Sequence, residues 1–301
     1  MRPLLSQVGL GVLLLAGCSQ SPKVSADVPV LSGERAMDHV RALVAFGPRP
    51  PGSPEIQKCR EYIEQQLRGY GYQIEEDAFV AETPYGAKKM VNLIARKGAG
   101  DKSAIALASH YDTKYMEGKR FVGANDGGSS TGLLIELARV LASNKGGLDY
   151  WFLFLDGEEA FVDWSTFDST YGSRHLARRW KQEGVAARVK ALILLDMVGD
   201  KDLGLLKDAN STKWLSDLMW DTATKVGLGG IVTRNESAME DDHIPFLDVG
   251  IPCVDLIDFT YPPWHTDADT LDKISPESME KVGNLVLAVL PALQKIGSTP
   301  R

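Results

Sequence analysis

Cysteine is scarce in this chain, with three in 301 residues, Cys18, Cys59 and Cys253. That is too few for a disulfide framework, and Cys59 and Cys253, set in a helix and a strand, read as buried small hydrophobes. Their spacing does not establish whether they pair. Long hydrophobic runs are also missing. The N-terminal one, Val8 to Ala16, is too short to span a bilayer as a mature helix. Positive charge is in deficit, 33 Lys and Arg against 40 Asp and Glu, for a net charge of -7 and a pI near 5.3. This argues against nucleic acid or an anionic membrane surface as the main partner. No internal repeat, low-complexity tract or second domain is visible. What is present is ordinary for a globular fold, 44% hydrophobic and 24% charged residues.

The N-terminus reads as a leader rather than as part of the fold. Arg2 precedes the short apolar run, which closes in Leu15-Ala16-Gly17-Cys18 and resembles the lipobox of bacterial lipoproteins. The resemblance implies removal of residues 1–17, lipidation of Cys18 and a lipidated tether over residues 18–32. With no Asp directly after Cys18, the expectation is a cell-envelope protein, lipid-anchored on the periplasmic face of the outer membrane rather than held in the inner one.

From residue 33 to 295 the patterning describes one α/β domain. Helices are expected at about 33–46 and 55–69, then strands at 72–80 and 89–96 joined through Thr83-Pro84-Tyr85-Gly86 as an antiparallel edge hairpin. Strands then alternate with helices. The strands fall at 104–109, 150–155, 191–195 and 252–257, the helices at 131–143, 171–183, 212–226 and 276–295. This alternation predicts a mostly parallel central sheet flanked by helices. His39 reads as a surface residue and His175 as a packing one.

The segment from Tyr150 to Leu155 is an apolar strand that ends abruptly in acid, Asp156-Gly157-Glu158-Glu159. Adjacent Glu158 and Glu159 repel unless a cation or shared protons stabilise them. Taken alone this is a solvated turn, and a single strand-end His or helix-leading Asp is a hydrogen-bonder or a cap. Here, however, His110, Asp126, Glu159, Asp196 and His265 reach one sheet edge from five separate segments. Imidazole and carboxylate donors at separate strand ends suit zinc in a catalytic site with an open position.

This order of motifs resembles the zinc-dependent aminopeptidase superfamily, and longer stretches resemble its glutaminyl cyclases of the animal type. They are His110-Tyr-Asp-Thr-Lys-Tyr115, Asp156-Gly-Glu-Glu-Ala-Phe161 with Trp164, Asp168-Ser-Thr-Tyr-Gly-Ser-Arg-His-Leu-Ala177, Asp241-Asp242-His243-Ile244-Pro245-Phe246 and Trp264-His265-Thr266. The resemblance implies a zinc aminopeptidase-like fold and one Zn2+ held by Asp126, Glu159 and His265. It implies Glu158 as general base and acid, with Asp196 and Asp241 in a hydrogen-bond network facing it. Trp164, Trp264 and Tyr261 would line the substrate pocket. His243, within Asp-Asp-His-Ile-Pro, reads as a structural residue or one supporting the site from behind rather than as a ligand. The implied substrates are peptides or proteins with N-terminal Gln, converted to pyroglutamate with release of ammonia. Two departures stand out. The paired cysteines that animal enzymes carry near the His-x-Asp motif are absent, and Glu240 stands where a polar uncharged residue is expected. The rival is a di-zinc aminopeptidase, in which His110 and Asp196 would hold a second metal bridged by Asp126. A third reading, a catalytically silent peptide-binding lipoprotein, would need a broken ligand set, and no ligand position is missing.

Overall fold

The computed structural model describes residues 30–97, 102–143 and 147–297. The expected leader 1–17, the lipidation site Cys18 and the tether as far as residue 29 lie outside the described residues. Packing begins at Leu31, which is buried. Ser32 then caps helix α1 (Gly33–Phe46) by accepting the amide of Arg35. Helix α2 (Pro54–Gly69) starts in the same way, with Ser53 as cap and Pro54 in the first turn, where its missing N–H costs nothing. His39 is not a surface residue. It is wedged between α1 and α2 with Nδ1 2.6 Å from the Tyr62 hydroxyl, and burial lowers its pKa to about 4.

Strands β1 (Gln73–Thr83) and β2 (Gly86–Arg96) form the expected antiparallel hairpin, paired from Gln73 with Arg96 to Thr83 with Gly86. The sheet continues with β3 (Ala104–His110), β4 (Asp149–Leu155), β5 (Val189–Asp196), β6 (Leu205–Asp208), β7 (Val232–Ser237) and β8 (Cys253–Ile257). Among the described residues it is eight-stranded, in the order β1-β2-β4-β3-β5-β8-β6-β7. The central run β4-β3-β5-β8 is parallel. Antiparallel pairing extends beyond the hairpin, to β2 with β4 and β6 with β8. Because the central strands are covered on both faces, they read as continuous apolar runs without alternation.

Helices α3 (Gly128–Leu141), α5 (Lys213–Lys225) and α7 (Pro276–Gly297) join α1 and α2 in the larger core, where Leu43, Ile63, Leu133, Leu215 and Val282 meet Leu107 and Phe152. On the other face, α4 (Tyr171–Gln182) and α6 (His243–Asp248) bury Leu176, Trp180 and Phe246 against Trp151 and Leu192. Polar contacts tie α4 to the hairpin. Asp77 on β1 lies 3.2 Å from His175 and 3.5 Å from Arg179, and the His175 ring stacks on Phe79 at 4.3 Å. Cys59 and Cys253 are free and buried. No described helix is long and apolar enough to cross a membrane.

Sheet order fixes where ligands can gather. The chain steps from β3 out to β4, then returns across β3 to place β5 on its other side, so a topological switch point lies between β3 and β5. His110 ends β3 and Asp196 ends β5, level with one another in the register that pairs Ala108 with Leu194.

Candidate active site

Five strand ends and loops converge at that switch point. Asp126 comes from the loop into α3, whose N-terminus is set by Gly127 in the left-handed region at φ 69°. A Cβ at Gly127 would lie 2.8 Å from both the Asp112 carbonyl and the His110 ring, so only glycine fits there. Asp269 steadies the same loop. Its two carboxylate oxygens accept the amides of Asn125 and Asp126 at 2.8 and 3.1 Å. Glu158 and Glu159 are held alike by Asp112, which accepts both their amides at 3.2 and 3.3 Å. His265 enters from the loop after β8 at φ 53°, and Met197, directly after Asp196, sits at φ 46°. Thr170, whose amide donates to the Glu158 carbonyl at 2.7 Å, has φ 47°. Non-glycine residues in this region cost about 1–3 kcal/mol each, and all three abut the same cluster.

The side chains form two overlapping triads, Asp126, Glu159 and His265, and His110, Asp126 and Asp196. Within each, one donor atom per residue lies within 4.8 Å of the others. His265 Nε2 is 3.2 Å from Glu159 and 3.5 Å from Asp126 Oδ2. His110 Nε2 is 3.2 Å from Asp196 and 3.3 Å from Asp126 Oδ1. Its Nδ1 faces Asp112 at 3.5 Å and Glu158 at 3.8 Å. Buried Asp126 Oδ2 and Glu159 Oε2 make no hydrogen bond. Such oxygens are costly unless a cation takes them, so the first triad fits a metal ion with nitrogen and oxygen donors.

Burial raises the Glu158 carboxyl well above its ordinary range; His110 opposes this, while Glu159, Asp241 and Asp242 add to it. Burial and then Asp196 lift Asp241 to about 7. For His110 burial acts downward, but Glu158 and the carboxylates of Asp112, Asp126 and Asp196 outweigh it and hold the ring well above its usual value. The expected network appears in altered form. His110, rather than Asp241, links Asp196 to Glu158, and Asp241 Oδ1 instead accepts the Asp242 amide at 2.5 Å.

Above the triads opens a cavity of about 530 Å³ lined by Asp126, Glu158, Glu159, Asp196, Asp241 and His265 at its acidic floor. Trp164 and Trp264 are among its lining residues, with Val162, Met239 and Phe259. Tyr261 is a correction. It is buried beneath the site, donating its hydroxyl to Asp269 at 2.8 Å, because the Asp126 loop needs that carboxylate fixed. Glu240 does line the cavity. His243 is structural, fully buried with Nε2 3.0 Å from Asp208. Residue patterns missed Lys114, a cavity wall residue 3.6 Å from Glu159, and the amide-holding roles of Asp112 and Asp269. Asp112 was within reach, two positions after His110 at a strand end. Asp269 lies among loop acids with no local signal.

The family model described as Peptidase family M28 matches residues 92–290, from within β2 to within α7. The chain belongs to peptidase family M28. Within it, a glutaminyl-peptide cyclotransferase of Drosophila melanogaster is 31% identical over 302 aligned positions, which cover 88% of this chain and 85% of that protein. The crystal structure of an Acidobacteriales bacterium glutaminyl cyclase is 40% identical with a TM-score of 0.85, covering 92% of this chain and 100% of the other. A Zn-dependent exopeptidase from Parabacteroides distasonis shares the fold at 26% identity and a TM-score of 0.78, covering 88% and 99% of the two chains. This M28 chain is thus an enzyme of the glutaminyl-peptide cyclotransferase type on an aminopeptidase-like fold.

Proposed function

We propose that the chain converts the N-terminal glutamine of peptides to pyroglutamate with release of ammonia, using one zinc ion. The observation that carries this reading is the place of Glu158: a buried carboxylate outside the Asp126–Glu159–His265 triad, facing the same cavity. Asp126, Glu159 and His265 would hold the zinc, which when bound supplies Lewis-acid polarisation of the substrate's γ-amide carbonyl. The acidic floor favours the substrate's α-amino group, and the rim of Trp164 and Trp264 encloses the glutamine side chain. Glu158 takes a proton from the α-amine as its nitrogen bonds to the γ-amide carbon. It returns that proton to the amide nitrogen as the carbon–nitrogen bond breaks and ammonia leaves. Asp112 keeps Glu158 and Glu159 side by side through their amides.

A second reading, a di-zinc aminopeptidase removing N-terminal residues, is favoured by the His110–Asp126–Asp196 triad. Two assays separate them: ammonia release from a Gln-initiated peptide, and cleavage of an aminoacyl chromogenic amide. Cyclisation without cleavage supports the proposal, and cleavage without cyclisation would overturn it. We also propose a lipid anchor at Cys18 that places the enzyme on the periplasmic face of the outer membrane. It rests on Leu15-Ala16-Gly17-Cys18, and a Cys18→Ala variant that still incorporates labelled fatty acid would refute it.

A further inference from the structure

Beside the cavity mouth, on the Lys114 side, stands a second aromatic surface that the cyclisation of a single glutamine does not use. Tyr85 at the hairpin tip is 51% exposed and Tyr115 39% exposed. Their rings meet edge-on at 5.3 Å, and Tyr85 rests on Phe161 at 6.0 Å. The tip is rigid, because Thr83 Oγ1 donates to the Gly86 carbonyl at 2.7 Å and accepts the Tyr85 amide at 3.2 Å. Core packing does not require this pair: both rings are partly in solvent, and the turn is closed by Thr83 rather than by either tyrosine.

The surface borders the reaction site through the residues next to it in the chain. Phe161 follows Glu158-Glu159-Ala160 directly, and Tyr115 follows Lys114, a cavity wall residue whose Nζ donates to the Ala160 carbonyl at 2.8 Å. An extended peptide advances about 3.3 Å per residue, so a chain that leaves the cavity over Lys114 carries the residues after the first toward these rings. Resting on the cyclase reading above, we infer that Tyr85 and Tyr115 form a subsite for apolar or aromatic side chains at the second and third positions of the substrate peptide. The pair therefore sets preference among Gln-initiated peptides and leaves the chemistry at the first residue untouched. An exposed Tyr–Tyr pair offers edge-to-face contact to an incoming ring.

The test compares Gln-Gly-NH2 with Gln-Phe-Phe-NH2, by ammonia release, on the wild type and the Tyr85→Ser/Tyr115→Ser double variant. Both substitutions are at exposed positions, and a thermal melt checks the fold. The wild type is expected to favour the longer peptide roughly tenfold in kcat/KM, mainly through KM. The double variant is expected to lose that preference while keeping its rate on Gln-Gly-NH2 within about twofold. An unchanged preference in the double variant would overturn the subsite and leave the cyclase reading standing. No turnover of either peptide by the wild type would instead overturn the cyclase reading, and the subsite with it.

Discussion

Asp112 orients the reactive carboxylates through backbone alone, since each of its oxygens receives one amide proton from the Glu158-Glu159 pair. Replacing it with alanine frees that turn and tilts Glu159 away from Asp126 and His265. The expected result for Asp112→Ala is a 10–100-fold loss of zinc affinity, measured by competition with a chromogenic chelator; unchanged affinity would deny it the positioning role. Glu158→Gln is expected to behave oppositely, binding zinc normally while turnover falls by about 10²–10⁴, read by ammonia release and metal analysis on one preparation. The residue scale is where patterns in the chain spoke most clearly for the candidate site. His110, Asp126, Glu159, Asp196 and His265 all end or follow strands, and the structure gathers every one. Tyr261 was misplaced because its neighbourhood in sequence, three residues before Trp264, does not reveal that its hydroxyl is turned toward Asp269.

At the scale of elements, α1 and α2 meet over a neutral histidine. His39 in the fold resists protonation down to about pH 4, whereas in the unfolded chain it titrates near 6.5. The unfolded state therefore binds the extra proton between those values, and stability falls as pH drops through this window. His39→Gln removes the titration. Denaturant melts from pH 7 to 4 should show the variant losing less stability than the wild type, by on the order of 3 kcal/mol at the acid end. Parallel slopes for the two proteins would mean that His39 is not the group responsible.

Elements were legible where hydrophobic period and length agreed: α1 and β4 fall within a residue or so of expectation. The start of α3 came three residues early because Gly128, Ser129 and Ser130 look like loop but are helical. Strands β6 and β7 and helix α6 left no readable trace. β6 has four residues, β7 is a polar edge strand, and α6 is a six-residue turn carrying Pro245. β6 and α6 exist because tertiary partners cover them, and β7, whose side chains are mostly exposed, because β6 pairs with it; local propensity cannot announce either.

Over the whole molecule, the sheet brings Asp126, Glu158, Glu159, Asp196 and Asp241 into one buried cavity, with Lys114 and two histidines to offset them. A bound cation relieves that repulsion in the native state alone, so metal binding and global stability are linked. Removing zinc by dialysis against a chelator should lower Tm, and adding it back at 100 times Kd should restore about 2.7 kcal/mol. A Tm indifferent to zinc would exclude a metal at the triad. Metal analysis of the loaded protein is expected to give one ion per chain, and two would favour the aminopeptidase reading.

Asp126 stands in both triads, one oxygen toward His110 and the other toward His265. Two neighbouring ions would have to share that single carboxylate, and the second would also have to take His110 Nε2 away from Asp126 and Asp196. Occupancy of the two places is therefore antagonistic. Activity plotted against added zinc should rise to a maximum near one equivalent and then decline, so that the metal which starts the reaction becomes, in excess, its inhibitor.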